Sequence, residues 1–390
     1  MRLALLHTRL SGYLAACLRE LKRRGDAELL IHAYPPAGDA PFDPGVFADL
    51  GEVRNRREHA DDAILRAVLD FGPDAVLVSG WGDKGYLKIC RELRRRGIAV
   101  IAGCDTQWTG GLRQHVASWI APWHLHKAID VLWVTGERQA VLGRALGFSG
   151  DRLWDGYYAC DWARFATPSR PSGACGASVV RRPSSVVGEQ PSAGNNPAHD
   201  DGQTTNDEGT FLYVGRYVPE KGIDTLAEAY GRYRERVDEP WKLVCAGSGP
   251  LGETLVAAGA EDRGFVQPRD LPGLMHEAGA FVLPSRFEPW GVVVHEAAAS
   301  GLPLICSDAC GAAVHLLRDR FNGFLFPAGD AAALAERMVA LHELSDARRV
   351  AFAEASFELS KQYTPARWTE TLLAALRPSG GLEGNRRVLD

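Results

Sequence analysis

Short apolar runs alternate with amphipathic stretches along the whole chain. The first series comprises LALLH (3–7), ELLIHAY (28–34), AVLVSG (75–80), AVIAG (99–103) and VLWVTG (131–136). The second comprises FLYVGR (211–216), KLVCAGSG (242–249), GFVQ (264–267), AFVLPS (280–285), PLICSD (303–308) and GFLFPAG (323–329). These runs are continuous rather than alternating, the pattern of strands covered on both faces by helices. Between them lie helical patterns such as DDAILRAVLDFG, KGIDTLAEAYGRYRER and DAAALAERMVALHEL. A repeated strand–helix order predicts a parallel sheet, and two series predict an α/β chain of two doubly wound, Rossmann-like domains. In such sheets ligands bind beyond the carboxyl ends of the strands, so two domains face to face enclose a cleft.

The series are separated by residues 169–208, rich in Ser, Pro, Gly, Asn and Asp, which cannot bury enough apolar surface to offset the entropy of ordering. The predicted organisation is a first domain over 1–168, a flexible linker or insertion over 169–208, a second domain over 209–365, and a C-terminal helix with a tail over 366–390. At 390 residues the length suits two or three domains, and 46% apolar with 24% charged residues is ordinary for a globular chain. Lysine plus arginine number 44 against 49 acidic residues, a net charge of −5 that argues against a dedicated nucleic-acid binder. Eight cysteines form no CxxC pair, and several lie inside apolar runs, which favours a reducing compartment. No run of eighteen apolar residues exists and no signal-peptide core opens the chain, so the expected location is cytoplasmic.

Two clusters carry candidate chemistry. In PSRFEPWGVVVHEAAASGLPLICSD (284–308), Glu288 follows a strand and precedes Pro289, while Gly291 opens a helix that contains Glu296. Two carboxylates thus flank a helix N-terminus, whose free amides suit an anion. In YVGRYVPEKGIDTL (213–226), Arg216 and Lys221 lie between a strand and a helix, with Gly215 and Gly222 permitting close backbone approach. Two cations at a strand end suit a diphosphate that gains charge as it departs. Each cluster alone could be an ordinary solvated loop.

The order GR-x₄-KG, AGSGP, PSRFEPWG-x₄-E-AAASGLPLI and NGFLF resembles the retaining family 4 glycosyltransferases of the group 1 type, which have the GT-B fold. The likeness is detailed over about 211–345 and includes an E-x₇-E motif, Glu288 to Glu296. Over 1–168 it rests mainly on strand–helix order and on WDGYYACDWARF. The resemblance implies transfer of a sugar from a nucleotide diphosphate sugar, such as a UDP-sugar or GDP-sugar, with retained configuration and no metal or further cofactor. Arg216 and Lys221 would then bind the diphosphate, Glu288 the donor sugar, and Glu296 the ribose. Backbone at Gly291, Val292 and Val293 would approach the distal phosphate or sugar, Phe265 and Val266 the base, and Gly12 the phosphates and acceptor. The acceptor would be a saccharide, a lipid-linked or a small molecule, as in cell-surface polysaccharide or glycolipid synthesis, with peripheral contact at the inner membrane face.

The chain departs from the family pattern in places. Cys104, followed by Asp105, stands where the family carries a histidine near the donor sugar, and a thiol is a weak substitute for imidazole as a hydrogen-bond donor. The first-domain loop has Gly12 alone rather than paired glycines, and GAAVH puts His315 where a glutamate is usual. Three other readings remain open: a nucleotide-sugar epimerase of similar fold, a non-catalytic donor-binding subunit, and a Rossmann oxidoreductase. The last is suggested by GSGPLG (247–252), a formal GxGxxG after an apolar run. His124 and His126 form an H-x-H without an evident third metal ligand. Trp108, Trp119 and Trp123, with Arg113 and Lys127, suit a membrane interface, an extended acceptor, or a set of core and cleft tryptophans. Two basic stretches, CLRELKRRG and KICRELRRRG, would be solvated faces or, on one side, a surface for anionic lipid.

Overall fold

The computed structural model describes residues 1–35, 44–167 and 209–376. The whole of the expected linker, 169–208, and the tail beyond 376 lie outside the described residues. The first part holds strands β1 (Arg2–His7), β2 (Glu28–Ala33), β3 (Val53–Asn55), β4 (Ala75–Val78), β5 (Ala99–Cys104), β6 (Val131–Val134) and β7 (Leu153–Trp154). Its helices are α1 (Gly12–Gly25), α2 (Asp61–Phe71), α3 (Lys84–Arg95), α4 (Leu112–His124), α5 (Glu137–Ala145) and α6 (Trp162–Ala166). The second part holds β8 (Thr210–Val214), β9 (Lys242–Ala246), β10 (Glu261–Asp262), β11 (Ala280–Leu283), β12 (Leu304–Ser307) and β13 (Gly323–Phe326). Its helices are α7 (Ile223–Arg234), α8 (Gly252–Ala257), α9 (Leu271–Glu277), α10 (Val292–Ala299), α11 (Ala313–Leu316), α12 (Ala331–His342), α13 (Asp346–Ser360) and α14 (Pro365–Ala375).

The strands form two separate sheets, ordered β3-β2-β1-β4-β5-β6-β7 and β10-β9-β8-β11-β12-β13, with every pairing parallel. In both, the strand order reverses beside the first strand of the series, the switch point where α/β sheets hold ligands. The central runs β4, β11 and β12 are buried at every residue because helices cover both faces. Helix starts follow local chemistry. Asp83 accepts hydrogen bonds from the Gly85 and Tyr86 amides at 2.8 and 3.0 Å, and Asp330 from Ala333 at 2.9 Å. Thr364 caps α14 ahead of Pro365, whose missing N–H is no loss at the first helical position.

One expectation needs adjustment, and two strands have to be added. The apolar piece 264–267 is a loop, and the strand precedes it at β10. Gly264 turns the chain at φ 63° while its amide donates to the Asp262 carboxylate at 2.8 Å. Strands β3 and β7 were not anticipated, since edge strands of three and two residues leave no apolar run to read.

The chain crosses between the two sheets more than once. After β7, Tyr157 to Phe165 run back across to α10, where the buried His295 accepts from the Cys160 amide at 3.1 Å and donates to the Ser360 carbonyl at 2.9 Å. At the far end α14 packs on α1 of the first sheet. Trp368 stacks on Trp133 with ring centroids 4.8 Å apart and donates to the Tyr157 carbonyl at 3.1 Å.

Candidate functional site

The site is assembled from the loops that follow β8 and β11. After β8 the chain turns through Gly215 and Arg216 into a short 3₁₀ turn, Pro219–Lys221, which ends at Gly222 with φ 69°. A Cβ on Gly222 would collide with the Pro284 carbonyl, so only glycine lets the two loops lie this close. The amides of Arg286 and Phe287 seal the contact by donating to the Glu220 carbonyl at 2.9 and 3.2 Å. The consequence is a direct ion pair between Lys221 and Glu288, both largely buried, with the Ser285 hydroxyl donating to the same Glu288 oxygen at 3.3 Å. Arg216 lies on the same loop but reaches outward, pairing with Glu220 at 3.3 Å. Each cation therefore rests on a carboxylate.

Glu288 is held in place by a bridge to Cys310 and by the Gly311 amide on its carbonyl at 2.9 Å. Three residues on, Gly291 takes φ 93° and opens α10, whose first turn, with Val292 and Val293, presents amides that a helix start leaves unpaired. Glu296 lies one turn further along α10. Its carboxyl has no hydrogen-bond partner among the described residues, and enclosure by protein, with the Asp161 charge nearby, pushes it up to about 7. A crowded carboxylate without a donor is suited to accepting hydroxyl hydrogen bonds from a ligand.

Across the cleft, Gly12 is the first residue of α1, after the capping Ser11, and space beside it is open. The neighbouring Tyr13 packs on Tyr158 with centroids 4.6 Å apart, and its hydroxyl is raised by burial, with the charges of Asp105 and Glu296 both bearing on it. Tyr158 donates to the exposed Asp105 carboxylate at 3.0 Å. The structure thus gathers Gly12, Asp105 and Glu296 around one pair of tyrosines. Cys104 is buried at the end of β5, its thiol pushed up to about 12 by burial and turned toward the Thr106 carbonyl at 3.7 Å. Such a thiol stays protonated and offers at most a weak hydrogen bond. Phe265 and Val266 sit half-buried in the loop after β10.

Sequence reasoning missed several residues of the cleft. Asp161 and Tyr158 lie inside WDGYYACDWARF, but nothing in that piece tells which side chains reach Glu296 and Asp105. His7 was also missed. Burial lowers it to about 4, its Nδ1 donates to the Arg9 carbonyl at 3.2 Å, and its Nε2 accepts from the Tyr157 hydroxyl at 2.9 Å. A third missed group bridges the cleft from the start of α5. Gln139 donates to the Asp105 carbonyl at 3.2 Å and to the Pro289 carbonyl at 2.6 Å, and Arg138 donates to the Ala309 carbonyl at 2.9 Å. His315, noted for standing in place of a glutamate, accepts the Glu137 amide at 3.0 Å and so joins this bridge.

The remaining motifs have plain local roles. Gly247 and Gly249 of GSGPLG pack against the backbone of Gly215 and Tyr217, and the following α8 has six residues. The glycines let two loops meet rather than leaving an open cradle. His124 contacts Arg91 while His126 donates to the Leu146 carbonyl at 2.8 Å, so the two rings serve different partners.

Comparison with known proteins fits this geometry. Residues 196–358 match the family model for glycosyl transferases, group 1. The group 1 region thus contains both loops, the Lys221–Glu288 pair and Glu296. The chain is 35% identical over 161 residues to a phosphatidyl-myo-inositol mannosyltransferase of Mycobacterium leprae, covering 40% of this chain and 42% of that protein. It is 38% identical over 109 residues to a glycogen synthase of Mycobacterium tuberculosis, 26% of each. These matches therefore span between about a quarter and two-fifths of the relatives' length. The structure of Anabaena HepE in complex with UDP superposes with a TM-score of 0.69 at 14% identity, over 96% of this chain and 98% of that one. The fold is GT-B, two Rossmann-like halves facing across a cleft.

Proposed function

We propose that the chain is a retaining, metal-independent glycosyltransferase that moves a sugar from a nucleotide diphosphate sugar to a hydroxyl acceptor. The observation that carries this reading is the Lys221–Glu288 pair beside the start of α10, with the unpartnered Glu296 on the same helix, inside the region that matches the group 1 family. Arg216 and Lys221 would exchange their carboxylate partners for the diphosphate and stabilise it as the leaving group. Glu288, released from Lys221, would accept hydroxyls of the donor sugar, and the amides of Gly291 to Val293 would meet phosphate or sugar. Glu296 would accept the ribose hydroxyls, Phe265 and Val266 would border the base, and Gly12 and Asp105 would line the opposite wall. In the proposed organisation the part before the 169–208 segment receives the acceptor and the part after it holds the donor. The seven described cysteines are all free and buried, which favours a reducing, cytoplasmic location.

Two measurements test the reading. Ligands that bind the folded state raise its apparent stability, so a thermal-shift panel of UDP, GDP, ADP, their sugar conjugates and NAD(H) should show one nucleotide diphosphate shifting the wild type. The shift should vanish in Glu296→Ala. A shift with NAD(H) alone would overturn the proposal in favour of an oxidoreductase, and conversion of the sugar nucleotide without acceptor would make it an epimerase. Removing a contact to a departing group typically costs about 10²–10³ in rate, so Lys221→Ala should lose that order of kcat. An unchanged kcat would remove Lys221 from the machinery.

A further inference from the structure

Helix α4 leaves a continuous apolar face uncovered. Leu112, Val116, Trp119, Ile120 and Trp123 are all exposed, Leu112 by 81%, Trp119 by 73% and Trp123 by 61%. At helical spacing these five positions fall within an arc of about 100°, the width of a face that ordinarily packs on a core. Ala121, on the opposite side of the helix, is the residue that is buried. The two tryptophan rings lie edge to face with centroids 5.9 Å apart and stand outside the protein together. Large apolar side chains contiguous on a surface mark a binding surface rather than ordinary exposure.

The surroundings say what covers this face. No carboxylate occurs between Asp105 and Asp130. Arg113 and Lys127 flank the stripe, both exposed and without an ion-pair partner among the described residues. Helix α3 lies alongside, joined by the contact of Arg91 with His124. Residues 84–96 carry Lys84, Lys88, Arg91, Arg94, Arg95 and Arg96 against Glu92 alone. Arg94 is tied to Asp130, and Arg95 and Arg96 share Glu92, but Lys84 and Lys88 are exposed without such partners among the described residues. A tryptophan-bearing apolar stripe with a cationic border is the composition of a helix lying in the plane of an anionic membrane surface. The helix has 13 residues, about 20 Å, too short to span. A second copy of this chain fits poorly, because a two-fold contact would set the cationic border against itself. A soluble anionic glycan would leave Leu112, Val116 and Ile120 in water.

We propose that α4 docks this protein on an anionic lipid bilayer, with Trp119 and Trp123 seated at the headgroup boundary and the α3 lysines against the lipid charges. The docking does not depend on the reaction proposed above. If that reaction holds, the loop 105–111, which joins Asp105 to α4, brings the cleft close to the surface where a lipid-linked acceptor would present its hydroxyl.

The test is co-sedimentation of the full chain with vesicles of phosphatidylcholine, with and without added phosphatidylglycerol, at low and high salt. The expected result is binding to the anionic vesicles at low salt, reduced by salt. Binding should fall about tenfold or more in the double variant Trp119→Gln, Trp123→Gln. Both rings are exposed, so the variant should keep the wild-type melting temperature and circular dichroism. Absence of binding to anionic vesicles at low salt would overturn the proposal, as would undiminished binding by the variant. Equal binding to pure phosphatidylcholine would overturn the anionic preference. A wild-type dimer that the variant converts to a monomer would assign the face to a second copy instead.

Discussion

His295 and Glu296 are neighbours on α10 and burial drives them apart in pH. His295 is lowered from 6.5 to about 4 because burial disfavours its charged form, against the opposing pull of the Ser360 carbonyl, and Glu296 is raised from 4.5 to about 7. For the histidine, the unfolded chain takes up the proton first, so its contribution to stability is full above pH 6.5 and is lost as pH falls toward 4. For the glutamate, the folded chain keeps the proton longer, so stability is lost as pH rises from 4.5 through 7. Glu296→Gln should therefore stabilise the ligand-free protein by about 1–2 kcal/mol at pH 8, with the difference vanishing below about pH 4.5. Urea denaturation at the two pH values checks this, and equal stabilities at pH 8 would mean that the carboxyl is freely solvated. The site residues were legible to different degrees for a physical reason. Lys221 and Glu288 stand in recognisable order on two loops, whereas Tyr158 meets Asp105 across 53 positions of sequence and His7 meets Tyr157 across 150. Such contacts exist only once the sheets are folded.

Among the elements, α10 makes the strictest demand on sequence. It begins from Gly291 at φ 93°, where a Cβ would be strained and would sit 3.0 Å from the Glu288 Cγ. Gly291→Ala should cost about 1–2 kcal/mol in backbone strain and displace Glu288 from Lys221. Denaturant unfolding together with the nucleotide thermal shift would register both effects, and a variant with wild-type stability and shift would show the loop to be tolerant. Elements of four or more buried apolar residues were readable from pattern alone, as AVLV and AFVL illustrate. The short edges β3, β7 and β10 were not, because their two or three residues are partly or fully exposed and take their strand geometry from the neighbour. In the 264–267 stretch, Gly264 and the Asp262 side chain overruled an apolar sequence.

For the molecule as a whole, the two halves are joined in two physically different ways. One is a bridge of a few polar contacts from Glu137, Arg138 and Gln139 to His315, Ala309 and Pro289. The other is a buried crossing through Cys160, Phe165 and α14, in which apolar packing is joined by the hydrogen bonds of His295 and Trp368. Truncating the buried Trp368 to alanine should cost about 3–5 kcal/mol, since it removes the ring stacked on Trp133 and the hydrogen bond to Tyr157. Equilibrium unfolding would measure this, and a loss below about 1 kcal/mol would show α14 to be a loose appendage. The position of α14 also sets an order of events during synthesis. The helix that covers α1 and Trp133 is made some two hundred residues after β7, roughly ten to forty seconds later at ordinary elongation rates. The first half of the chain therefore waits on the ribosome with the face of Trp133 that stacks on Trp368 uncovered, and it is the first domain to begin folding and the last to finish.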